Sequence, residues 1–172
     1  GTGGPGEVDP RRWVGVTAMT RNPQWGIYDD YGGNCNNFTS QCLYAGTGVM
    51  NFDPVYGWFY RDPNDKAPAW TGVEYFFDFI TRQTPSPGPF GISTTLSELE
   101  PGDFVQFRFN KDVFGHTPVV VEIGRPATLQ NTLIAAHSYD ADWRPLSTYY
   151  FQEIRFLHIQ GAYREIRGEE VL

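Results

Sequence analysis

The order of secondary-structure patterns is the feature that most restricts how this chain folds. Helical patterns come first, at residues 9–21, 35–45 and 71–82. Strand patterns rich in Val, Phe, Ile and Tyr follow, at residues 103–109, 117–123, 133–136 and 150–158. A run of helices followed by a run of strands predicts an α+β domain in which helices pack on an antiparallel sheet.

The length and the composition predict one folded domain. A chain of 172 residues fits a single core, and we place the domain at residues 9–172. Residues 1–8 are glycine-rich, which predicts a flexible linker or tag remnant and suits a domain of a longer, exported precursor. Residues 51–69 predict an irregular aromatic stretch, and residues 84–90, with their three prolines, predict a linker.

The charge of the chain argues against two classes of partner. The formal net charge is −7 and the isoelectric point is about 4.8, so the basic surface typical of nucleic-acid binding is not expected. The sequence has no apolar run near the roughly 20 residues that span a bilayer. We therefore expect a protein that neither binds nucleic acid nor inserts into a membrane. We also expect a monomer.

Cys35 stands at the start of the clearest predicted helix. Gly32 and Gly33 allow a sharp turn before it, and Asn34 can cap the helix. The amides and partial positive charge of a helix N-terminus lower the pKa of a thiol, which favours the nucleophilic thiolate. We therefore predict that Cys35 is a catalytic nucleophile rather than a structural cysteine. Cys42 lies about 10 Å farther along the helix axis, beyond disulfide reach, and is predicted to be a small core residue.

His116 is the leading candidate for the base that a nucleophilic cysteine requires. The chain has three histidines, and His116 directly precedes a predicted buried strand, where a side chain is both held and reachable. His158 lies inside a later strand pattern and is predicted to be structural.

A hairpin between two predicted strands supplies a candidate for the third polar residue of the site. If the strands at 117–123 and 133–136 turn between residues 126 and 127, His137 lies directly opposite His116. His137 is then placed to orient the His116 imidazole, as the third member of a catalytic triad does. Asp140 or Asn131 takes this role if the register slips.

Four segments of the chain carry motifs that occur together in one enzyme family. They are the Asn-Cys-Asn-Asn-Phe-Thr-Ser-Gln run from Asn34, the Leu-Glu-Pro-Gly-Asp run from Leu99, Gly115-His116 before a valine-rich strand, and His-Ser-Tyr-Asp from His137 with Arg144-Pro145-Leu146. Together they resemble the amidase domain family related to the NlpC and CHAP groups of papain-like cysteine hydrolases. The nucleophile helix of that family usually reads Asp-Cys-Thr-Asn-Phe-Val-Ser-Gln, so Asn34 and Asn36 depart from it. The resemblance covers residues 11–157.

The resemblance implies a papain-like fold, with the nucleophile helix packed on an antiparallel sheet. It implies a cysteine amidase or peptidase in which Cys35 is the nucleophile, His116 the base and His137 the third polar residue. The family further implies hydrolysis of amide bonds in bacterial peptidoglycan by a secreted or cell-wall-associated protein, without a metal or organic cofactor.

An oxyanion hole is expected to combine the backbone N–H of Cys35 with a side chain of the preceding loop. Tyr28 is the first candidate, and Asp30 and Tyr31 are the alternatives. Tyr28 is explained equally well as an aromatic residue that only packs in the loop.

Two other functions stay open from the sequence. One is an acyltransferase or transpeptidase that replaces water by another acceptor, and the other is a cell-wall-binding module without turnover.

Several aromatic residues either line a groove for a glycan or peptide or belong to the core, which is the commoner case. They are Trp25, Trp58, Tyr60, Trp70 and Trp143. Asp140 and Asp142 lack the remaining ligand pattern of a calcium site, and the histidines and cysteines do not stand at zinc-ligand spacing. We therefore expect no bound metal.

Overall fold

The computed structural model describes residues 34–136, 141–164, 166–167 and 170–171 of the chain. Its helices are α1 (Asn34–Thr47), α2 (Pro68–Thr71) and α3 (Val73–Ile80). Its strands are β1 (Tyr60–Asp62), β2 (Asp65–Lys66), β3 (Gly88–Thr94), β4 (Phe104–Arg108), β5 (Val119–Ile123), β6 (Thr132–Ala136), β7 (Ala141–Pro145), β8 (Glu153–Tyr163), β9 (Ile166–Arg167) and β10 (Glu170–Val171). The helix predicted at residues 9–21 lies outside the described residues.

Six of these strands form one sheet in the order β3-β8-β4-β5-β6-β7. Every pairing in this sheet is antiparallel. Strands β1 and β2 form a separate short pair, as do β9 and β10. The predicted α+β class with an antiparallel sheet is confirmed. Among the described helices, none is long and apolar enough to cross a membrane.

Helix α1 is slightly longer than its sequence pattern predicts. It begins at Asn34, so the position that caps it falls outside the described residues, and it continues through Gly46 to Thr47. Gly48 then ends the helix with a φ of +67°, and its N–H donates to the carbonyl of Tyr44 at 2.8 Å. This left-handed glycine is the usual way to satisfy a carbonyl of the last turn.

Two predictions for the middle of the chain need correction. The helix predicted at residues 71–82 is instead two helices, because Gly72 between them has an extended backbone (φ −95°, ψ 122°). The linker predicted at residues 84–90 contains the start of β3, including Pro89. Strand β3 lies at the edge of the sheet, where a proline that cannot donate to a neighbour is tolerated.

Apolar side chains cover both faces of the sheet. The cluster on one face joins the helices to the sheet and includes the buried residues Phe38, Trp58, Trp70, Phe76, Phe104, Val119, Val121 and Leu157. The cluster on the other face includes Leu99, Val105, Phe107, Val120, Ile134, Leu146 and Tyr149. Consecutive residues of β5 alternate between the two clusters, as the pleat of a strand requires.

The aromatic residues of the irregular stretch belong to the core. Trp58 and Trp70 are fully buried, and their ring centroids lie 4.7 Å apart. Tyr60 is buried beside Trp70, at 5.8 Å between centroids. Trp143 is instead 40% exposed, and Trp25 lies outside the described residues. For Trp58, Tyr60 and Trp70 the core interpretation is therefore the correct one.

Candidate active site

The structure brings Cys35 and His116 onto neighbouring elements. Cys35 is the second residue of α1 and its side chain is fully buried. Its Sγ accepts a hydrogen bond from the backbone N–H of Thr117 at 3.0 Å. Two covalent bonds separate that nitrogen from the Cα of His116, so the sulfur lies within about 6 Å of this Cα. The backbone of His116 therefore lies beside the start of α1.

A second side chain of α1 holds the other polar group of the Thr117 backbone. Thr39 follows Cys35 by one helical turn, so both residues face the same way. The Thr39 hydroxyl donates to the carbonyl of Thr117. Helix α1 therefore binds both the N–H and the carbonyl of the residue that follows His116.

His116 is held on its other side by the sheet. It forms an antiparallel bridge with Phe107, in which the Phe107 N–H donates to the His116 carbonyl at 3.0 Å. The carbonyl of Phe107 accepts the N–H of Gly115, also at 3.0 Å. The His116 side chain is 2% exposed, and its ring centroid lies 6.2 Å from those of Phe107 and Tyr149. Both the backbone and the ring of His116 are thus fixed.

Burial sets the protonation of both groups. It raises the pKa of Cys35 from 9.0 to about 12, although the hydrogen bond from Thr117 acts in the opposite direction. Burial, together with the positive charge of Arg144, lowers the pKa of His116 from 6.5 to about 4. The expectation of a lowered thiol pKa at the helix start is therefore wrong for this structure, because the loss of hydration outweighs the hydrogen bond from Thr117. At neutral pH the pair consists of a thiol and a neutral imidazole.

Cys42 differs from Cys35 in its surroundings. It lies two turns later in α1, is 1% exposed, and belongs to the apolar cluster between helices and sheet. Burial raises its pKa even further, and within the described part of the chain no opposing hydrogen bond accompanies that effect. Both cysteines are free thiols, as their spacing predicts, and Cys42 is the core residue it was expected to be.

Polar side chains of the Asn-Cys motif fasten α1 to α2. The Nδ2 of Asn36 and the Oγ of Ser40 donate to the carbonyl of Trp70, at 2.9 and 2.8 Å. The indole N–H of Trp70 in turn donates to the Oδ1 of Asn37 at 2.9 Å. These buried bonds fix the position of α1, and with it Cys35, relative to the rest of the domain.

The hairpin register that pairs His116 with His137 is not the observed one. Val119 lies opposite Ala135, one residue away from the predicted partner Ile134, and an irregularity between Val120 and Glu122 shifts the pairing again. The pairing predicted for Val119 is therefore wrong by one residue, whereas His137 lies outside the described residues and its place opposite His116 stays a prediction.

The remaining predicted site residues have different outcomes. His137, Asp140, Tyr28, Asp30 and Tyr31 lie outside the described residues, and their roles stay predictions. Asn131 is bound within the β5–β6 turn instead: its Oδ1 accepts the N–H of Thr128 at 2.8 Å, and its Nδ2 donates to the Pro126 carbonyl at 3.0 Å. That turn is at the other end of β5 from His116, so Asn131 cannot orient the imidazole.

His158 is structural, as predicted. Its Nδ1 lies 2.8 Å from the Oδ2 of Asp103, which directly precedes β4. The Asp103 carboxylate also accepts the backbone N–H groups of Glu100 and Ile159, at 2.8 and 2.9 Å. These bonds tie β4 to β8.

Sequence reasoning missed Thr39 and Thr117 as parts of the site. Their positions carry a signal in retrospect, since Thr39 is four residues after Cys35 and Thr117 directly follows His116. These positions indicate that Thr39 and Thr117 belong to the site only once α1 is known to contact the chain just before β5.

A surface groove of about 720 Å³ lies away from this pair. Its lining comes from residues 51–57, α3 and residues 82–87, and it includes neither Cys35 nor His116. The carboxylate of Asp53 accepts backbone N–H groups of its own loop, and the guanidinium of Arg82 donates to nearby carbonyls. Within the described residues, no group of His, Cys, Asp or Glu is arranged to hold a metal ion.

Comparison with known proteins agrees with the resemblance to amidases. Residues 11–159 match the family described as "Putative amidase domain", so the chain belongs to this family, whose description points to amide hydrolysis. The chain is also similar to "Uncharacterized protein YhbB" of Bacillus subtilis (strain 168), with 30% identity in an alignment of 148 residues that covers 81% of this chain. It spans 45% of the length of that relative. No solved structure gives a significant match to the chain.

Proposed function

We propose that this domain is a cysteine-dependent amidase or peptidase in which Cys35 attacks the amide carbonyl and His116 transfers the protons. The observation that carries the proposal is the hydrogen bond from the Thr117 N–H to the Cys35 sulfur. It connects a cysteine at the start of a helix to the residue directly after a buried histidine. Membership of the amidase family supports the reaction class.

The neutral state of the pair determines the first step. Because Cys35 is a thiol and His116 a neutral imidazole at pH 7, the imidazole takes the thiol proton as the sulfur bonds to the carbonyl carbon. The imidazolium then gives this proton to the leaving amine, and a thioester forms on Cys35. Water attacks the thioester, and His116 accepts a proton from that water. His116 then gives this proton to the departing sulfur, which restores the thiol of Cys35.

Residues near the N-terminus and after β6 complete the proposed site. His137 orients the imidazole, with Asp140 as the alternative third residue. The oxyanion is bound by the backbone N–H of Cys35, which belongs to the first turn of α1 and is one of the donors that a helix cannot use internally. Tyr28 or Asp30 supplies a second donor or orients the substrate.

The finer fold class and the substrate follow from the sequence motifs. We place the domain, at residues 9–172, among papain-like folds of the NlpC and CHAP type, with residues 1–8 as a linker or tag remnant. The substrate is peptidoglycan, at an amide of the stem peptide or of its link to muramic acid. The chain then works as a monomer in a secreted or cell-wall-associated protein.

The test is digestion of purified peptidoglycan, followed by mass spectrometry of the released fragments. The wild-type chain is expected to release fragments with new amine and carboxyl ends, whereas Cys35→Ala and His116→Ala are expected to release none. Release by Cys35→Ala at the wild-type rate would falsify the proposal. Addition of glycinamide separates hydrolysis from acyl transfer, because a transferase places the added amine on the new carboxyl end.

A further inference from the structure

Thr117 belongs to a row of polar residues that crosses neighbouring strands. The bridge between Phe107 and His116 continues the β4–β5 register, so Gln106 lies directly opposite Thr117. In the β4–β8 ladder, Gln106 lies opposite Arg155. Thr117, Gln106 and Arg155 therefore form one row across the sheet.

Both ends of the Gln106 amide are fixed in this row. Gln106 is fully buried, and its Nε2 donates to the Oγ1 of Thr117 at 3.1 Å and to the carbonyl of Val73 at 3.2 Å. Its Oε1 accepts the Nε–H of Arg155 at 2.7 Å. Because a carbonyl only accepts and a guanidinium only donates, one orientation of the amide satisfies both neighbours.

Arg155 is itself held rigidly, and it helps to hold the chain before His116. Its guanidinium carbon lies 3.7 Å from the ring centroid of Phe77 and 3.9 Å from that of Phe114. Its Nη2 lies 3.4 Å from a carboxylate oxygen of Glu74, and the other oxygen of Glu74 accepts the Phe114 N–H at 2.9 Å. Phe114 is two residues before His116, so Arg155 and Glu74 fix the approach to the histidine.

We propose that Gln106 and Arg155 are positioning residues for Cys35 and His116, an inference that rests on the proposed cysteine amidase function. They act through Thr117, whose N–H contacts the Cys35 sulfur. A methionine has a similar length and would fill this place without any hydrogen bond. Gln106 instead makes three buried hydrogen bonds, all of which must be satisfied. The row secures the backbone on both sides of His116, where a displacement of about 1 Å can cost about a hundredfold in rate.

The test compares Gln106→Met and Arg155→Met with a matched control. The control is Arg108→Met, because Arg108 stands two residues along β4 and binds Glu153 of β8 in the same ladder, at 2.9 Å. Two quantities are measured: kcat and KM with soluble peptidoglycan fragments, and the titration of the His116 ring by NMR.

We expect both Gln106→Met and Arg155→Met to lower kcat about tenfold or more, with KM changed less than about twofold. The titration of His116 should move to higher pH, since a displaced ring is less buried. The double variant should be no slower than the slower single variant, because both residues act through one row. Arg108→Met should behave like the wild type.

Equal behaviour of Gln106→Met and Arg108→Met, in turnover and in the His116 titration, would overturn the proposal. If Gln106→Met does not fold, Gln106→Glu replaces it, because a carboxylate still binds Arg155 but has no proton for the Val73 carbonyl. Full turnover by folded Gln106→Glu protein would likewise contradict the positioning role. If the wild-type chain releases no fragments, the amidase proposal fails, whereas the His116 titration still decides whether this row positions the ring.

Discussion

Two opposing influences act on the sulfur of Cys35. The N–H of Thr117 favours the thiolate, and complete burial favours the thiol. Burial is the larger influence, and it acts on His116 in the complementary direction by favouring the neutral ring. In the proposed mechanism the proton is therefore transferred during attack, and no thiolate and imidazolium are formed in advance.

The pH dependence of turnover distinguishes these two states. A neutral pair predicts that kcat/KM rises through about pH 4, as His116 loses its proton, and stays level between pH 7 and 10, because the thiol pKa is about 12. A preformed ion pair would lose activity in that interval, as the imidazolium deprotonates. The measurement is the initial rate of fragment release from peptidoglycan between pH 3.5 and 10. A decline beginning below pH 9 would contradict the neutral pair.

The same burial predicts how His116 affects stability. Above pH 6.5 the ring is neutral in the folded and unfolded chain, so its contribution does not vary with pH. Below pH 6.5 the His116 ring binds a proton in the unfolded chain, whereas in the folded protein it does so only near pH 4. The free energy of unfolding therefore falls as the pH falls from 6.5 to about 4. The interval between these two pKa values corresponds to roughly 3 kcal/mol.

Urea denaturation at pH 7.0 and at pH 4.5 checks this contribution. The free energy of unfolding of the wild type should decrease more between the two conditions than that of His116→Gln. The comparison cancels the titration of the other groups, which both proteins share. An identical decrease in both proteins would show that His116 is not buried in its neutral form.

Helix α1 acts as a clamp on the residue after the histidine. Cys35 and Thr39 bind the two sides of the Thr117 backbone from consecutive turns, and the motif residues Asn36 and Ser40 fasten the helix to α2. The Thr-Ser of the motif therefore has a physical role in addition to the cysteine: Thr39 ties α1 to the residue after His116, and Ser40 ties α1 to α2.

Substitution of Thr39 tests the clamp. Thr39→Val keeps the shape of the side chain and removes the donor to the Thr117 carbonyl, which should destabilise the fold by about 1 kcal/mol and lower kcat. Thr132→Val is the matched control, because the Thr132 hydroxyl also donates to a backbone carbonyl, that of Thr128, at the far end of β6. Thermal unfolding and fragment release are measured for both. Equal turnover in the two variants, at equal stability, would refute the clamp.

The limits of sequence-based prediction are set by pairing between elements. The α1 pattern and the strands β4, β5 and β6 could be predicted, because apolar periodicity and a C-terminal glycine mark them locally. Strand β3 could not, since Pro89 is acceptable only once that strand is known to be an edge. The predicted register failed because the turn is centred one residue later than expected: Ile123 pairs with Thr132, whereas a turn between residues 126 and 127 would pair it with Gln130.

Across the molecule, the two apolar clusters meet the candidate site from opposite faces of the sheet. Phe38 and Cys42 of α1 belong to the cluster beneath the helices, whereas Phe107 and Tyr149, beside His116, belong to the other. Cys35 and His116 could be chosen as candidates because their chemistry and their places at element ends are visible in the sequence. The row through Gln106 and Arg155 could not, since three strands must be assembled before it exists.

The most direct test of the proposed chemistry is detection of the thioester. The chain is mixed with soluble peptidoglycan fragments, quenched in acid within the first turnovers, digested, and analysed by mass spectrometry. We expect an acyl group on the peptide that contains Cys35, in the wild type and in Cys42→Ala, with the mass of the released carboxyl fragment less one water. Fragment release by Cys35→Ala at the wild-type rate, with no acylated cysteine, would contradict the assignment of Cys35 as the nucleophile.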